Sequence, residues 1–326
     1  MTQGFWKNLK KPIMVLAPMA NVTDCAFRRI IAKYGKPDVI WTEFVSCDGL
    51  MSRGRKNLMI DLKYSESERP IVAQIFGNKP ENFFKTAQLL KEMGFDGIDI
   101  NMGCPDRNVE KQGAGACMIK TPELAKEVIL AAMAGAPDLP VSVKTRIGYN
   151  KNMLVEWLPT LLSTNLAAIT VHARTRKEMS LVPARWEHIK EAIEIRNHLQ
   201  TGNEKTLVLG NGDVKNLTEA YQRVQETGCD GVMIGRGIFG NPWLFNKDLI
   251  DQEIPVKEKL RVMVEHTKLF EELLGEHKGF DLMKKHYKAY VNGFDKAKEL
   301  RIGLMEKSDD AAAVENIVNK FIAENL

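Results

Sequence analysis

Residues 97–105 read Gly97-Ile98-Asp99-Ile100-Asn101-Met102-Gly103-Cys104-Pro105. A short apolar run ends in a polar, glycine-marked turn, and Pro105 stops the strand from continuing. The same punctuation recurs along the chain at Ile13 to Pro18, Val39 to Val45, Ile71 to Gly77, Gly97 to Gly103, Val141 to Gly148, Ala168 to Arg174, Thr206 to Gly212 and Gly231 to Gly237. Helical patterns fall between these runs at Cys25 to Tyr34, Pro80 to Met93, Pro122 to Ala134, Val155 to Ser163, Ile189 to Asn197 and Leu217 to Thr227. Near-continuous hydrophobic strands imply a parallel sheet covered by helices on both faces, and eight strand-helix units close into a barrel. An open doubly wound sheet would carry a G-x-G-x-x-G turn after an early strand, and no early run here is followed by one. The expected fold class is therefore α/β, a (β/α)8 TIM barrel, followed by a small C-terminal helical domain.

The 326 residues suffice for a barrel of roughly 250 residues and an appendage. We place the barrel at 1–250 and the helical domain at 251–326. The barrel punctuation stops near Pro255, and Gly275, Gly279 and Gly293 mark breaks between helices. Hydrophobic residues make up 44% and charged residues 27% of the chain, the balance of a globular protein. No apolar run approaches the roughly 20 residues of a membrane helix. The start, Met1 to Lys11, lacks the apolar core of a signal peptide, so a cytoplasmic protein, away from membranes and monomeric, is expected. Cys25, Cys47, Cys104, Cys117 and Cys229 form no C-x-x-C pair, which predicts reduced thiols and no metal site.

In a barrel, the residues ending the strands face one mouth. These are Met19, Gln74, Asn101 with Cys104, Lys144 with Arg146, His172 with Arg174, Asn211 with Asp213, and Arg236. Cys104 follows a strand end in a loop, where a merely space-filling thiol is unexpected. The small residues of Gln112-Gly113-Ala114-Gly115-Ala116 permit close backbone approach to a ligand. Gly210-Asn211-Gly212-Asp213 and Gly235-Arg236-Gly237 stand after the last two strands, where barrels commonly bind phosphate. Lys144 needs an anionic partner there. A reduced flavin, a Schiff-base substrate or a structural carboxylate such as Asp99 would each serve.

Net charge is only +4, but Lys278, Lys284, Lys285, Lys288, Lys296, Lys298 and Arg301 cluster within one segment against Asp281, Asp295 and Glu299. Met283, Tyr287, Tyr290 and Val291 share one helical face there, leaving Lys284, Lys285 and Lys288 on the other.

Taken together and in order, the motifs resemble the tRNA-dihydrouridine synthase family. They are Ala17-Pro18-Met19 with Thr23-Asp24, Val72-Ala73-Gln74-Ile75-Phe76-Gly77, Asn101 to Pro105, Gly113 to Ala116, Val143-Lys144-Thr145-Arg146-Ile147-Gly148, His172-Ala173-Arg174-Thr175, Gly210 to Asp213 and Gly235 to Gly237. The resemblance implies an oxidoreductase in which NADPH, or NADH, reduces FMN. Hydride then passes to carbon 6 of a tRNA uridine while Cys104 protonates carbon 5. It assigns Lys144 to the charge on the reduced flavin. It assigns Ala17, Pro18, Met19, Gln74, His172, Asn211, Gly212, Asp213, Gly235 and Arg236 to flavin and phosphate contacts. Asn101 and Arg174 would grip the uracil or an adjacent phosphate, and Lys284, Lys285, Lys288 and Arg301 would meet the RNA backbone. Lys177 to Trp186 departs from the family pattern, in which many members carry Gln and then Tyr-x-Gly before Ala-x-Trp. Competing readings are an FMN barrel acting on a free pyrimidine or enone, a Schiff-base aldolase using Lys144, and an RNA-binding module with a passive barrel.

Overall fold

The computed structural model describes residues 3–202 and 204–326; the first two residues of the start segment lie outside the described residues. Nine strands form one parallel sheet: β1 Ile13–Leu16, β2 Ile40–Trp41, β3 Val45–Ser46, β4 Ile71–Phe76, β5 Gly97–Met102, β6 Val141–Arg146, β7 Ala168–His172, β8 Leu207–Asn211 and β9 Gly231–Ile234. Their order is β1-β9-β8-β7-β6-β5-β4-β2, with β3 also on β4. A bridge between Val15 and Val39 brings the first and second strands together, so the sheet closes into a barrel.

Alternate residues serve two cores, as the two-residue period of a strand requires. Ile13, Val15, Trp41, Val72, Leu209 and Met233 gather around Trp6, while Met14, Leu16, Ile100 and Val143 pack with the helices. The expected second strand is the one that differs. It splits into β2 and β3 because Thr42 and Glu43 divert the backbone: the Thr42 hydroxyl accepts the Gln74 N–H at 3.1 Å and donates to the Glu43 carbonyl at 2.9 Å.

Cys25–Tyr34 and Leu217–Thr227 are helical over the expected residues, each opened by a side-chain cap from Asp24 or Asn216. Pro80–Glu92, Pro122–Gly135, Leu154–Leu162 and Glu187–Leu199 differ from expectation by one or two residues at their ends. After the barrel come helices Val256–Leu274, Leu282–Tyr290, Ala297–Lys307 and Ala311–Asn325. Among the described residues no helix is long and apolar enough to cross a membrane.

The C-terminal helices sit on barrel helix Cys25–Tyr34. Phe27 stacks on His266 with ring centroids 4.8 Å apart, and His286 meets both rings edge-on at 4.7 Å. Burial, with Lys285 adding repulsion, drops the His286 pKa from 6.5 to about 3, and burial holds His266 well below its ordinary value. An unfolded chain therefore takes up protons near pH 6.5 that this junction refuses, so both histidines erode stability as pH falls below 6.5. The buried carboxyls of Asp24 and Asp99, raised to about 6, act with the opposite sign over nearly the same window. A substitution separates the two effects. Relative to the parent, His286→Phe should gain up to ~2 kcal/mol between pH 7.5 and pH 5, read from urea denaturation at each pH.

Candidate active site

The mouth is framed first by the turn after β1. Thr23 accepts the Met19 N–H at 2.9 Å and donates back to the Met19 carbonyl at 3.2 Å, fixing Ala17 to Met19, while Asp24 caps the helix that follows. Across from this turn, the ends of β6 to β9 close a cavity of about 230 Å³ lined by Ala17, Pro18, Met19, Lys144, His172, Arg174, Ser180, Asn211, Gly212, Asp213, Gly235 and Arg236 among others. The expected cofactor residues thus come together, with the exception of Gln74.

Lys144 reaches Asn211 Oδ1 at 3.1 Å, and Asn211 is held in that orientation by donating Nδ2 to the Met233 carbonyl at 2.8 Å. A neutral amide is a weak partner for an ammonium. Burial, helped by Arg146, brings the Lys144 pKa down to about 8, with Asp99 pulling the other way. No direct ion pair joins Lys144 to Asp99 among the described residues; the carboxylate acts on the lysine at longer range. His172 is kept neutral by burial and by Lys144, Arg146, Arg174 and Arg236 around it. Its Nε2 receives Arg174 Nη1 at 3.2 Å.

The phosphate-type end carries its own carboxylate. Asp213 pairs with Arg174 and, at 2.7 Å, with Arg236, whose side chain is 66% exposed. At Gly235 a Cβ would make only ordinary contacts, 3.6 Å from Ala17 Cβ and 3.8 Å from Met19 Sδ, so packing alone does not demand a glycine there. Gly212 has φ +133°, and a Cβ would come within 2.7 Å of Ala184 Cβ.

Cys104 follows β5 and packs beside Phe44, Phe76, Val109 and Ala114. It does not line the cavity, but its thiol lies within electrostatic reach of Lys144 and Arg146. Burial pushes the thiol pKa up, against the pull of the Asp106 N–H and these cations, so the group is protonated at neutral pH. Sequence reasoning left Arg146 unassigned. Its Nε donates to the Gly103 carbonyl at 2.7 Å and its Nη1 to the Thr175 and Met179 carbonyls at 3.0 Å, clamping the cysteine loop to the loop after β7. Of the glycines at 113 and 115, the second also serves this loop, while the first faces Asn78. Gly115 sits at φ +62°, and a Cβ would strike the Cys104 carbonyl at 2.7 Å, so the close backbone approach is to the Cys104 loop.

Two expected substrate residues are already engaged. Asn101 accepts the Gly103 and Cys104 N–H groups and donates to Gln74. Arg174, 3% exposed, donates to the Val182 carbonyl at 2.6 Å besides its bonds to His172 and Asp213. On the helical surface, Lys285 and Lys288 are exposed, while Lys284 is half-buried and pairs with Asp281. Arg301 is spent on the Val291 carbonyl at 2.7 Å. Lys278 leaves the expected basic face altogether: 12% exposed, it is bound to Glu43 at 2.7 Å and Asp61 at 2.8 Å, fastening the C-terminal helices to the barrel.

A closed parallel barrel with a cationic cavity at its strand ends and a protonated thiol beside it has the layout of a barrel enzyme's active site. The family model for dihydrouridine synthase matches residues 15–325. Over 328 residues, 99% of both chains, the sequence is 40% identical to "Probable tRNA-dihydrouridine synthase 2" of Bacillus subtilis (strain 168). It is also 40% identical, over 96% of this chain and 94% of the other, to "Probable tRNA-dihydrouridine synthase" of Staphylococcus aureus (strain MRSA252). The barrel superposes on histamine dehydrogenase from Rhizobium sp. 4-9 with a TM-score of 0.52 and 12% identity, covering 78% of this chain and 48% of that one, a likeness of fold. The chain belongs to the dihydrouridine synthase family, flavin-dependent oxidoreductases that reduce uridine to dihydrouridine.

Proposed function

We propose that this chain reduces uridine in tRNA, with FMN held in the cavity beside Lys144 and NADPH, or NADH, as reductant. The observation that carries the reading is the pairing of a half-buried, protonated thiol at Cys104 with a half-buried lysine whose hydrogen-bond partner is a neutral amide.

The cavity fits a flavin. Lys144 is an ammonium in want of an anion, Ala17 to Met19 and Gly235 line the cavity with it, and Arg236 is exposed with the glycines of 212 and 235 in the same lining. Asp213 opposes an anion there, but Arg174 and Arg236 already balance its charge. Lys144 would face the flavin's pyrimidine end, His172 and Asn211 would flank it, and the 212 and 235–236 turns would hold its phosphate. The chemistry a bound flavin supplies is hydride delivery to carbon 6 of uracil.

The protein's own part is the proton. Cys104 donates it to carbon 5, a general-acid role that a thiol with a raised pKa fills at neutral pH. Lys144 holds a positive charge in a site sheltered from water, where it is worth more than in bulk solvent. The uridine must leave its stack to arrive there, so the RNA needs a basic surface outside the mouth. Residues 251–326 supply it through Lys285 and Lys288.

The test is Lys285→Glu with Lys288→Glu in one chain. Each lost phosphate contact and added repulsion weakens binding, so tRNA affinity should fall at least tenfold at low salt, with a shallower salt dependence. NADPH oxidation with a small electron acceptor should stay within about twofold. Unchanged tRNA affinity would move the RNA surface elsewhere.

A further inference from the structure

We propose that Asp99, Gln74 and Asn101 form a one-way hydrogen-bond relay that sets the position of the Cys104 loop, making Asp99 and Gln74 positioning residues for the proton donor. The inference rests on Cys104 being that donor. The three side chains are buried, at 1%, 0% and 7% exposure. They sit on adjacent strands, β4 and β5, with Gln74 directly opposite Asp99 in the register.

The polarity of the chain follows from its first member. Asp99 accepts the Ser142 hydroxyl on Oδ1 at 2.6 Å, leaving Oδ2 for Gln74. A carboxylate can only accept, so Gln74 must turn its NH2 group to Asp99, which it does at 2.6 Å. The Gln74 oxygen is thereby turned toward Asn101, which must present its own NH2, at 3.0 Å. Only one orientation of Asn101 then remains, with Oδ1 aimed at the backbone. That oxygen accepts the N–H groups of Gly103 at 3.1 Å and Cys104 at 2.9 Å. Reversing any amide sets oxygen against oxygen or NH2 against NH2 in a place with no water to relieve it. Burial raises the Asp99 carboxyl to about 6, which leaves it ionised at neutral pH.

This polarity makes a reversal experiment possible. Asn101→Asp keeps the acceptor for both N–H groups but sets a carboxylate against the Gln74 oxygen, because the Gln74 NH2 is turned to Asp99 at the other side of the amide. Adding Asp99→Asn removes the conflict: Asn at 99 donates to the Gln74 oxygen, and Gln74 donates to Asp at 101. Asp99→Asn alone fits the original direction with its oxygen toward Gln74 and its NH2 toward Ser142, whose hydroxyl then accepts and turns its own proton to the Ile98 carbonyl, so it should be mild.

The experiment compares the parent, Asn101→Asp, Asp99→Asn and the double variant on two readouts. One is iodoacetamide alkylation of Cys104, mapped by mass spectrometry on the full chain without RNA. The other is reoxidation of the reduced, FMN-loaded enzyme by a tRNA transcript. We expect Asn101→Asp to raise alkylation about fivefold and slow reoxidation at least tenfold, while NADPH-driven reduction changes less than twofold. The double variant should return both readouts to within about threefold of the parent. If Asn101→Asp alone does not fold, the double variant decides by itself: both readouts within threefold support the relay. A double variant as impaired as Asn101→Asp, or an Asn101→Asp with normal alkylation, overturns it. The alkylation readout does not require Cys104 to be the acid, so a failed relay and a failed acid assignment give different results.

Discussion

Cys104→Ala slows uridine reduction by about 10²–10⁴-fold while flavin content and NADPH oxidation stay within about twofold of the parent. The separation follows from where the thiol lies. It is beside the cavity rather than in its lining, so its removal leaves the flavin residues untouched. Its raised pKa makes it a proton source at pH 7 rather than a nucleophile, since burial outweighs Lys144, Arg146 and the Asp106 N–H, which favour the thiolate. The loop is held by Asn101, Arg146 and the Gly115 approach, none of which uses the sulfur, so alanine should leave its backbone in place. Stopped-flow measurement of the two half-reactions checks this. Equal loss in both would contradict an acid role.

The second large effect is Lys144→Met, for which flavin reduction by NADPH should slow by about 10²-fold or more, the scale set by removing a preorganised charge from a sheltered site. The fold should tolerate it. A half-buried ammonium whose hydrogen bond goes to a neutral amide is costly, its pKa drawn down to about 8, and methionine removes that cost with a similar length. The protein should therefore melt no lower than the parent, while its flavin becomes harder to reduce. A variant that reduces flavin at the parent rate would leave Lys144 without a role in the chemistry. An aldolase-type lysine would instead be trapped by borohydride with a carbonyl substrate, and family membership gives that reading no support.

The barrel was legible because each strand announces itself twice, by a β-rich apolar run and by the glycine or proline that ends it. Two of the helices with side-chain caps, those opened by Asp24 and Asn216, were legible to the residue. What escaped depended on partners distant in sequence. Thr42 and Glu43 read as strand, and only the presence of Gln74 and Lys278 explains why the ladder breaks there. Lys278 counted as a surface charge until Glu43 and Asp61 met it.

The cavity residues were mostly legible, since barrel strand ends converge whatever their sequence separation. Roles were less so. Asn101, Gln74 and Arg174 were expected to touch ligands, yet each uses its hydrogen-bonding groups on the protein itself. Polar residues at strand ends can either face the substrate or hold what does, and residue type does not distinguish the two. Arg146 was legible as a mouth residue, two residues from Lys144 on β6 and so on the same face of the strand, but not as the clamp on the Cys104 loop, whose carbonyl partners lie far off in sequence.

The most direct test is a map of dihydrouridine in tRNA from cells deleted for this chain, with the parent gene and Cys104→Ala returned in parallel. The account predicts that at least one tRNA position loses dihydrouridine on deletion, regains it with the parent chain and stays unmodified with Cys104→Ala. A map that does not change on deletion would contradict it.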